Sequence, residues 1–215
     1  MHRTRIKICG LTSETDAIAA AEAGADAIGL VFYPPSPRSL TLERALRIRR
    51  ALPPFVGTVA LFVNAAEADV REVIDVLRPA LVQFHGDETP EECARYGHPF
   101  LRAARMRPGL DLVNFAARYR QAQALLLDAF VEGYGGGGEV FDWSLIPRSA
   151  NFPIVLSGGL RASNVAQAVV RVRPWAVDVS SGVERAKGVK DVEAMRRFVA
   201  AVREADASPD PSPDE

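Results

Sequence analysis

Short runs of branched and aromatic apolar residues alternate along the chain with stretches whose apolar positions recur every three to four residues. The runs at 5–9, 27–32, 57–63, 81–85, 101–105, 124–128, 154–157 and 176–180 are mostly rich in Val, Ile, Leu or Phe. Continuous apolar runs of this length suit strands buried on both faces. The stretches at 16–23, 41–52, 66–77, 90–96, 110–119, 143–146, 163–172 and 192–204 read as helices. Val70, Val73, Ile74 and Leu77 share one helical face. Gly24 stands where a helix ends before the next strand. The slot at 143–146 is short and weakly periodic. Eight βα units in 215 residues predict an α/β fold, a single-domain (β/α)8 TIM barrel over residues 1–205. An open doubly wound sheet is the alternative. It rarely needs eight repeats, and the first βα turn lacks a G-x-G-x-x-G fingerprint. From Asp206 the chain is acidic and Pro-rich without an apolar anchor, which predicts a disordered tail over 206–215.

The strand period assigns faces. Ile6 and Ile8 share one face of the first strand, Lys7 and Cys9 the other. Gln83 pairs with His85, Leu126 with Asp128, and Asp178 with Ser180. An inward Lys7 needs an anionic partner, because an unpaired buried charge is costly. Asp178 on the neighbouring eighth strand is the expected partner, within salt-bridge distance.

Composition narrows the class. With 26 basic and 27 acidic residues, nothing in the charge balance points to nucleic acid or an anionic membrane. No apolar run reaches the length of a membrane span. Cys9 and Cys93 are far apart, and His2, His85 and His98 do not cluster, so no metal is expected. The chain leads into its first strand without a signal-peptide core, and a cytoplasmic enzyme with reduced thiols is the simplest class.

Barrels carry their chemistry where the strands end. Those ends supply Cys9, Arg38 in a Pro-stiffened loop, His85, Asp128, and the turns Ser157-Gly158-Gly159 and Ser180-Ser181-Gly182, with Asp178 beside the last. Each residue also has a plainer reading. Cys9 can be a small buried hydrophobe, Asp128 a helix cap, Arg38 a surface charge. His85 either lines a pocket or hydrogen-bonds at its rim. Together they form a ring holding a thiol, carboxylates, a histidine and an arginine. Glycine lets backbone approach an anion, and barrels often bind phosphate after strands seven and eight, so these turns predict a phosphorylated small-molecule substrate. A rigid loop can aim Arg38 at a carboxylate in bidentate fashion. The glycine run 133–138 reads as a lid hinge or as a plain flexible loop.

These motifs occur in a familiar order. Lys7-Ile8-Cys9-Gly10-Leu11-Thr12, Ser36-Pro37-Arg38, Leu61-Phe62-Val63-Asn64 and Val82-Gln83-Phe84-His85-Gly86-Asp87-Glu88 come first. Phe141-Asp142-Trp143, Ser157-Gly158-Gly159-Leu160, Asp178-Val179-Ser180-Ser181-Gly182-Val183-Glu184 and Gly188-Val189-Lys190-Asp191 follow. The chain resembles the phosphoribosylanthranilate isomerases of tryptophan biosynthesis over nearly its whole length. That resemblance implies a (β/α)8 barrel carrying out an Amadori rearrangement of N-(5-phosphoribosyl)anthranilate without metal or organic cofactor. It implies Cys9 as general base, Asp128 as general acid, Arg38 on the anthranilate carboxylate and the Gly/Ser turns on phosphate. Two departures stand out: Gly137 and Glu139 replace the family's usual Thr and basic residue, and Ser157 replaces its usual Ala. The competing readings are another phosphosugar-isomerase barrel and a non-catalytic phosphate-binding barrel. A monomer or a homodimer fits equally.

Overall fold

The computed structural model describes residues 3–130, 140–147 and 150–208. The apolar runs form strands β1 (Arg5–Cys9), β2 (Ala27–Phe32), β3 (Gly57–Phe62), β4 (Leu81–Phe84), β5 (Phe100–Met106), β6 (Ala124–Ala129), β7 (Ile154–Leu156) and β8 (Ala176–Val179). They pair in parallel, in chain order, and β8 pairs back onto β1 to close a barrel. The helices are α1 (Glu14–Ala23), α2 (Leu42–Ala51), α3 (Glu67–Leu77), α4 (Pro90–Ala94), α5 (Leu112–Arg118), α6 (Val165–Val172) and α7 (Val192–Ala207). The chain is a (β/α)8 barrel in which, among the described residues, the sixth helix slot holds a 3-10 turn, Trp143–Leu145.

Local chemistry sets the helix ends. Ser13 caps α1 by accepting from Asp16 N, and Gly24 ends it with φ 107°, a left-handed conformation glycine adopts without strain. Thr89 and Glu92 form a reciprocal capping box at α4, with Pro90 in its first turn. That helix stops at Ala94, short of the expected 96.

The core has two layers. Ile6, Ile8, Val82, Phe84, Leu125 and Leu127 point outward beneath the helices. Val59, Leu101, Ala103, Leu126 and Val155 fill the barrel interior. The alternation matches the face assignments read from the sequence. Above this plug an apolar cluster of Cys9, Val31, Leu61 and Val63 meets polar residues, and there the cavity opens.

Two elements differ from expectation. A small antiparallel hairpin, β9 (Glu184–Ala186) and β10 (Val189–Lys190), follows β8. The last helix runs through Ala207, into the segment expected as tail. Asp206 accepts hydrogen bonds from Thr4 N at 2.9 Å and Thr4 Oγ1 at 2.6 Å. The end of this helix is thus tied to the start of β1 by polar contacts. Residues 209–215 and the glycine run 133–138 lie outside the described residues.

Candidate active site

A cavity of about 310 Å³ opens at the C-terminal ends of the strands. Its lining includes Cys9, Arg38, His85, Asp128, Gly158, Gly159, Asp178, Ser180, Ser181 and Gly182, every site residue expected from the sequence. Among the described residues, no three His, Cys, Asp or Glu side chains are grouped to hold a metal ion.

Cys9 reaches the cavity from the end of β1, and Gly29 of β2 makes room for it. A Cβ at Gly29 would lie 2.4 Å from the Cys9 Sγ. The expected inward lysine is present. Lys7 stands opposite Asp178 in the β1–β8 register, and its Nζ donates to Asp178 Oδ1 at 2.8 Å with both side chains buried. The Lys7 ammonium also acts on the Cys9 thiol. Burial pushes that thiol above its ordinary pKa, Lys7 pulls it down, and Asp178 pushes it up again. Burial works against the Lys7 ammonium, yet Asp178 and Cys9 together raise it. The hydroxyl of Ser157, the family's usual alanine, donates to Asp178 Oδ2 at 3.2 Å. Both carboxylate oxygens of Asp178 are therefore engaged by the protein itself.

Asp128 enters from β6, roughly across the barrel from Cys9. Its Oδ1 accepts from Ala129 N at 2.9 Å, and its Oδ2 lies 3.2 Å from His85 Nε2. That approach brings the two groups into electrostatic range without the alignment of a hydrogen bond. Gln83 Nε2 lies 2.9 Å from His85 Nδ1. With the amide donating, Nδ1 is the acceptor and the ring proton sits on Nε2, facing Asp128. His85 thus lines the pocket. Gln83, on the same inward face, is a neighbour to which sequence reasoning gave no role.

The Gly/Ser turns form the third wall. Gly158 and Gly159 have φ 80° and 61°. A Cβ at Gly158 would lie 2.6 Å from Ala129 N, and one at Gly182 would lie 1.9 Å from Leu160 O. Asn164 ties this wall together, donating to Gly159 O at 3.0 Å and accepting from Arg161 N at 2.8 Å. Ser180 Oγ donates to Cys9 O at 3.1 Å, so this hydroxyl seams β8 to β1.

Arg38 closes the fourth side. Its fork holds a carboxylate of the protein itself, Glu184, which sequence reasoning did not single out: Nε to Oε1 at 2.7 Å and Nη2 to Oε2 at 2.8 Å. Lys190, from the other strand of the hairpin, donates to the same Oε1 at 2.8 Å. Burial raises the Glu184 carboxyl, but hydrogen bonds and charge from Arg38 and Lys190 outweigh it and hold the pKa below the usual range.

The sequence model of the family described as N-(5'-phosphoribosyl)anthranilate isomerase matches residues 6–201. The chain belongs to this family. A relative named N-(5'-phosphoribosyl)anthranilate isomerase, from Methylibium petroleiphilum, is 62% identical over 205 residues, covering 95% of this chain and 96% of the relative. A solved phosphoribosyl anthranilate isomerase, in complex with reduced 1-(o-carboxyphenylamino)-1-deoxyribulose 5-phosphate, superposes with a TM-score of 0.84 at 40% identity. That match covers 94% of this chain and 99% of the other. A monomer generated from the dimeric isomerase of Thermotoga maritima gives a TM-score of 0.82 at 38% identity, covering 93% and 98%. The chain is thus an enzyme, a phosphoribosylanthranilate isomerase of tryptophan biosynthesis.

Proposed function

We propose that Cys9 and Asp128 are the base and the acid of the isomerisation, with Arg38 and the Gly/Ser turns holding the two ends of the substrate. The observation that carries this reading is that Cys9 and Asp128 face one cavity from β1 and β6, between Arg38 on one side and the Gly158–Gly159 and Ser181–Gly182 backbone on another. Asp128 gives a proton to the ring oxygen of N-(5-phosphoribosyl)anthranilate. The C1–O bond breaks, and the nitrogen lone pair forms the C1=N iminium. The iminium acidifies C2–H, whose proton passes to the Cys9 thiolate, leaving a C1=C2 enolamine. A proton then enters at C1 and one leaves O2, giving the ketone and resetting both groups. Each step is a proton transfer between the substrate and one of these two groups, or the bond shift it drives, and no step needs an outside oxidant or reductant, so the scheme requires neither a metal nor an organic cofactor.

The phosphate sits at the Gly/Ser turns, where glycine leaves main-chain N–H groups open to an anion. The anthranilate carboxylate meets Arg38. His85 faces Asp128 and keeps that carboxyl turned to the cavity. The enzyme works in the cytoplasm; among the described residues, no helix is long and apolar enough to cross a membrane. It works as a monomer or as a homodimer, and the Thermotoga maritima isomerase noted above is dimeric. Light scattering reads the mass directly and decides between the two. For the activity, the test is growth without tryptophan of an auxotroph lacking this isomerase. Rescue by the wild-type chain and failure by Asp128→Asn is the expected result. Rescue by both refutes the assigned acid.

A further inference from the structure

Arg38 meets the cavity with part of its capacity already used. A guanidinium carries five N–H donors. Two of them are held by Glu184, at 2.7 and 2.8 Å, which fixes the plane of the group and leaves its other edge for an incoming anion. Charge is the difficulty. An Arg38–Glu184 pair by itself is neutral, and a second carboxylate arriving at Arg38 would also feel the repulsion of Glu184. Lys190 removes that repulsion. Its side chain is 0% exposed, it is absent from the cavity lining, and its Nζ donates to Glu184 Oε1 at 2.8 Å and to Ser180 O at 3.0 Å. Two cations and one anion leave a single positive charge at the cavity edge.

The hairpin that supplies Glu184 and Lys190 is fastened to both neighbouring loops. Thr12 Oγ1 donates to Gly188 O at 2.6 Å, and Lys190 N donates to Asp16 Oδ2 at 3.2 Å. Gly188, at φ 79°, packs so closely that a Cβ there would lie 3.0 Å from Pro37 O, one residue before Arg38. We infer that Lys190 and Glu184 are positioning residues for substrate recognition. Glu184 fixes the Arg38 guanidinium, and Lys190, without touching the substrate, cancels the Glu184 charge so that Arg38 keeps its own for the anthranilate carboxylate. Burial lowers the Lys190 pKa against the opposing pull of Glu184, while Glu184 itself is held ionised. The inference rests on the reading of Arg38 as the carboxylate holder.

The test is KM and kcat for Lys190→Met, Glu184→Gln, the double variant and Arg38→Ala, with circular dichroism to verify folding. Two substrates are compared: N-(5-phosphoribosyl)anthranilate and its N-(5-phosphoribosyl)aniline counterpart, which lacks the carboxylate. Lys190→Met should raise KM for the carboxylated substrate about tenfold or more, the effect of a unit charge several ångströms away at an effective dielectric of about 20. Any change in kcat should be the same for both substrates, because loss of the Lys190 cation acts on Cys9 alike in each, and KM for the aniline substrate should not move. Glu184→Gln in the Lys190→Met background restores the single positive charge, so KM should return toward wild type. A double variant as weak as Lys190→Met, or equal weakening of both substrates, overturns the inference and leaves Lys190 a packing residue. Arg38→Ala separates the two layers. If it leaves the preference for the carboxylated substrate intact, the Arg38 reading falls and takes this one with it. If it abolishes that preference and Lys190→Met does not alter it, this inference alone fails.

Discussion

Replacing Asp178 with Asn tests how Cys9 acquires its negative charge. Lys7 serves two acids, ion-pairing with Asp178 at 2.8 Å while its charge also favours the Cys9 thiolate. Asp178 therefore disfavours the thiolate twice, as a competitor for the ammonium and as a like charge. The other charged groups acting on Cys9 are Lys190 from β10 and Arg38 from the loop after β2, both cationic. His85 and Asp128 line the same cavity from the ends of β4 and β6, while β2 brings Gly29 and Val31, which carry no charge, and Tyr33 follows it in the lining. In Asp178→Asn the one remaining anionic partner for Lys7 is the Cys9 thiolate, so the thiol becomes more acidic. Alkylation by iodoacetamide at neutral pH should speed up by about an order of magnitude, what about 1.4 kcal/mol of removed opposition yields. Folding should weaken at the same time. Breaking a buried ion pair is worth about 3–5 kcal/mol, and at about 2–4 °C per kcal/mol the melting temperature should fall by roughly 6–20 °C. That loss should shrink at alkaline pH, where the thiolate takes the place of the missing carboxylate. The assay is the pH profile of alkylation in a Cys93→Ala background, with thermal melts alongside. A profile that stays in place, or moves to higher pH, would refute the shared-lysine argument.

Asp206→Ala strands two buried donors of Thr4, which at about 1–3 kcal/mol should lower the melting temperature by roughly 2–12 °C. Deleting 209–215 should leave it unchanged. In Gly182→Ala the new methyl would lie 1.9 Å from Leu160 O, a backbone atom that cannot step aside. The turn must shift, and kcat/KM should fall by about 10²-fold, the effect of misplacing a binding group by about 1 Å. Burial pushes the Cys93 thiol from 9.0 up to about 12. The folded state then keeps a proton that the unfolded chain has released, so stability falls as pH rises through this interval, by about 1.4 kcal/mol per unit. Urea unfolding of Cys93→Ala should lack that slope; an identical slope would show that Cys93 ionises freely in the fold.

The barrel and most of its cavity were legible because a strand's period alone decides which side chains face inward. Lys7 and Asp178 were expected as partners because ring closure makes β1 and β8 neighbours, and the register sets them opposite each other. The partner of Arg38 was not legible. Glu184 lies in a three-residue strand, Glu-Arg-Ala, with no apolar alternation to mark it, and its pairing with Arg38 spans 146 residues. Asp206 was misread for a similar reason. The Pro-rich composition that follows it hides a helix end whose anchor, Thr4, is 202 residues away. Gln83 shares the inward face with His85, which marks it as buried but does not reveal that its amide meets the ring at Nδ1. Each omission is a polar contact made by tertiary closure, for which a linear pattern carries no signal.

The most direct test of the mechanism is the turnover number of Cys9→Ala at saturating substrate. In the proposed scheme Cys9 takes the C2 proton, and a general acid–base group contributes about 10²–10⁴-fold. The variant should bind substrate and lose kcat by at least that order. Turnover near that of the wild type would return Cys9 to the role of a packing residue and contradict the mechanism.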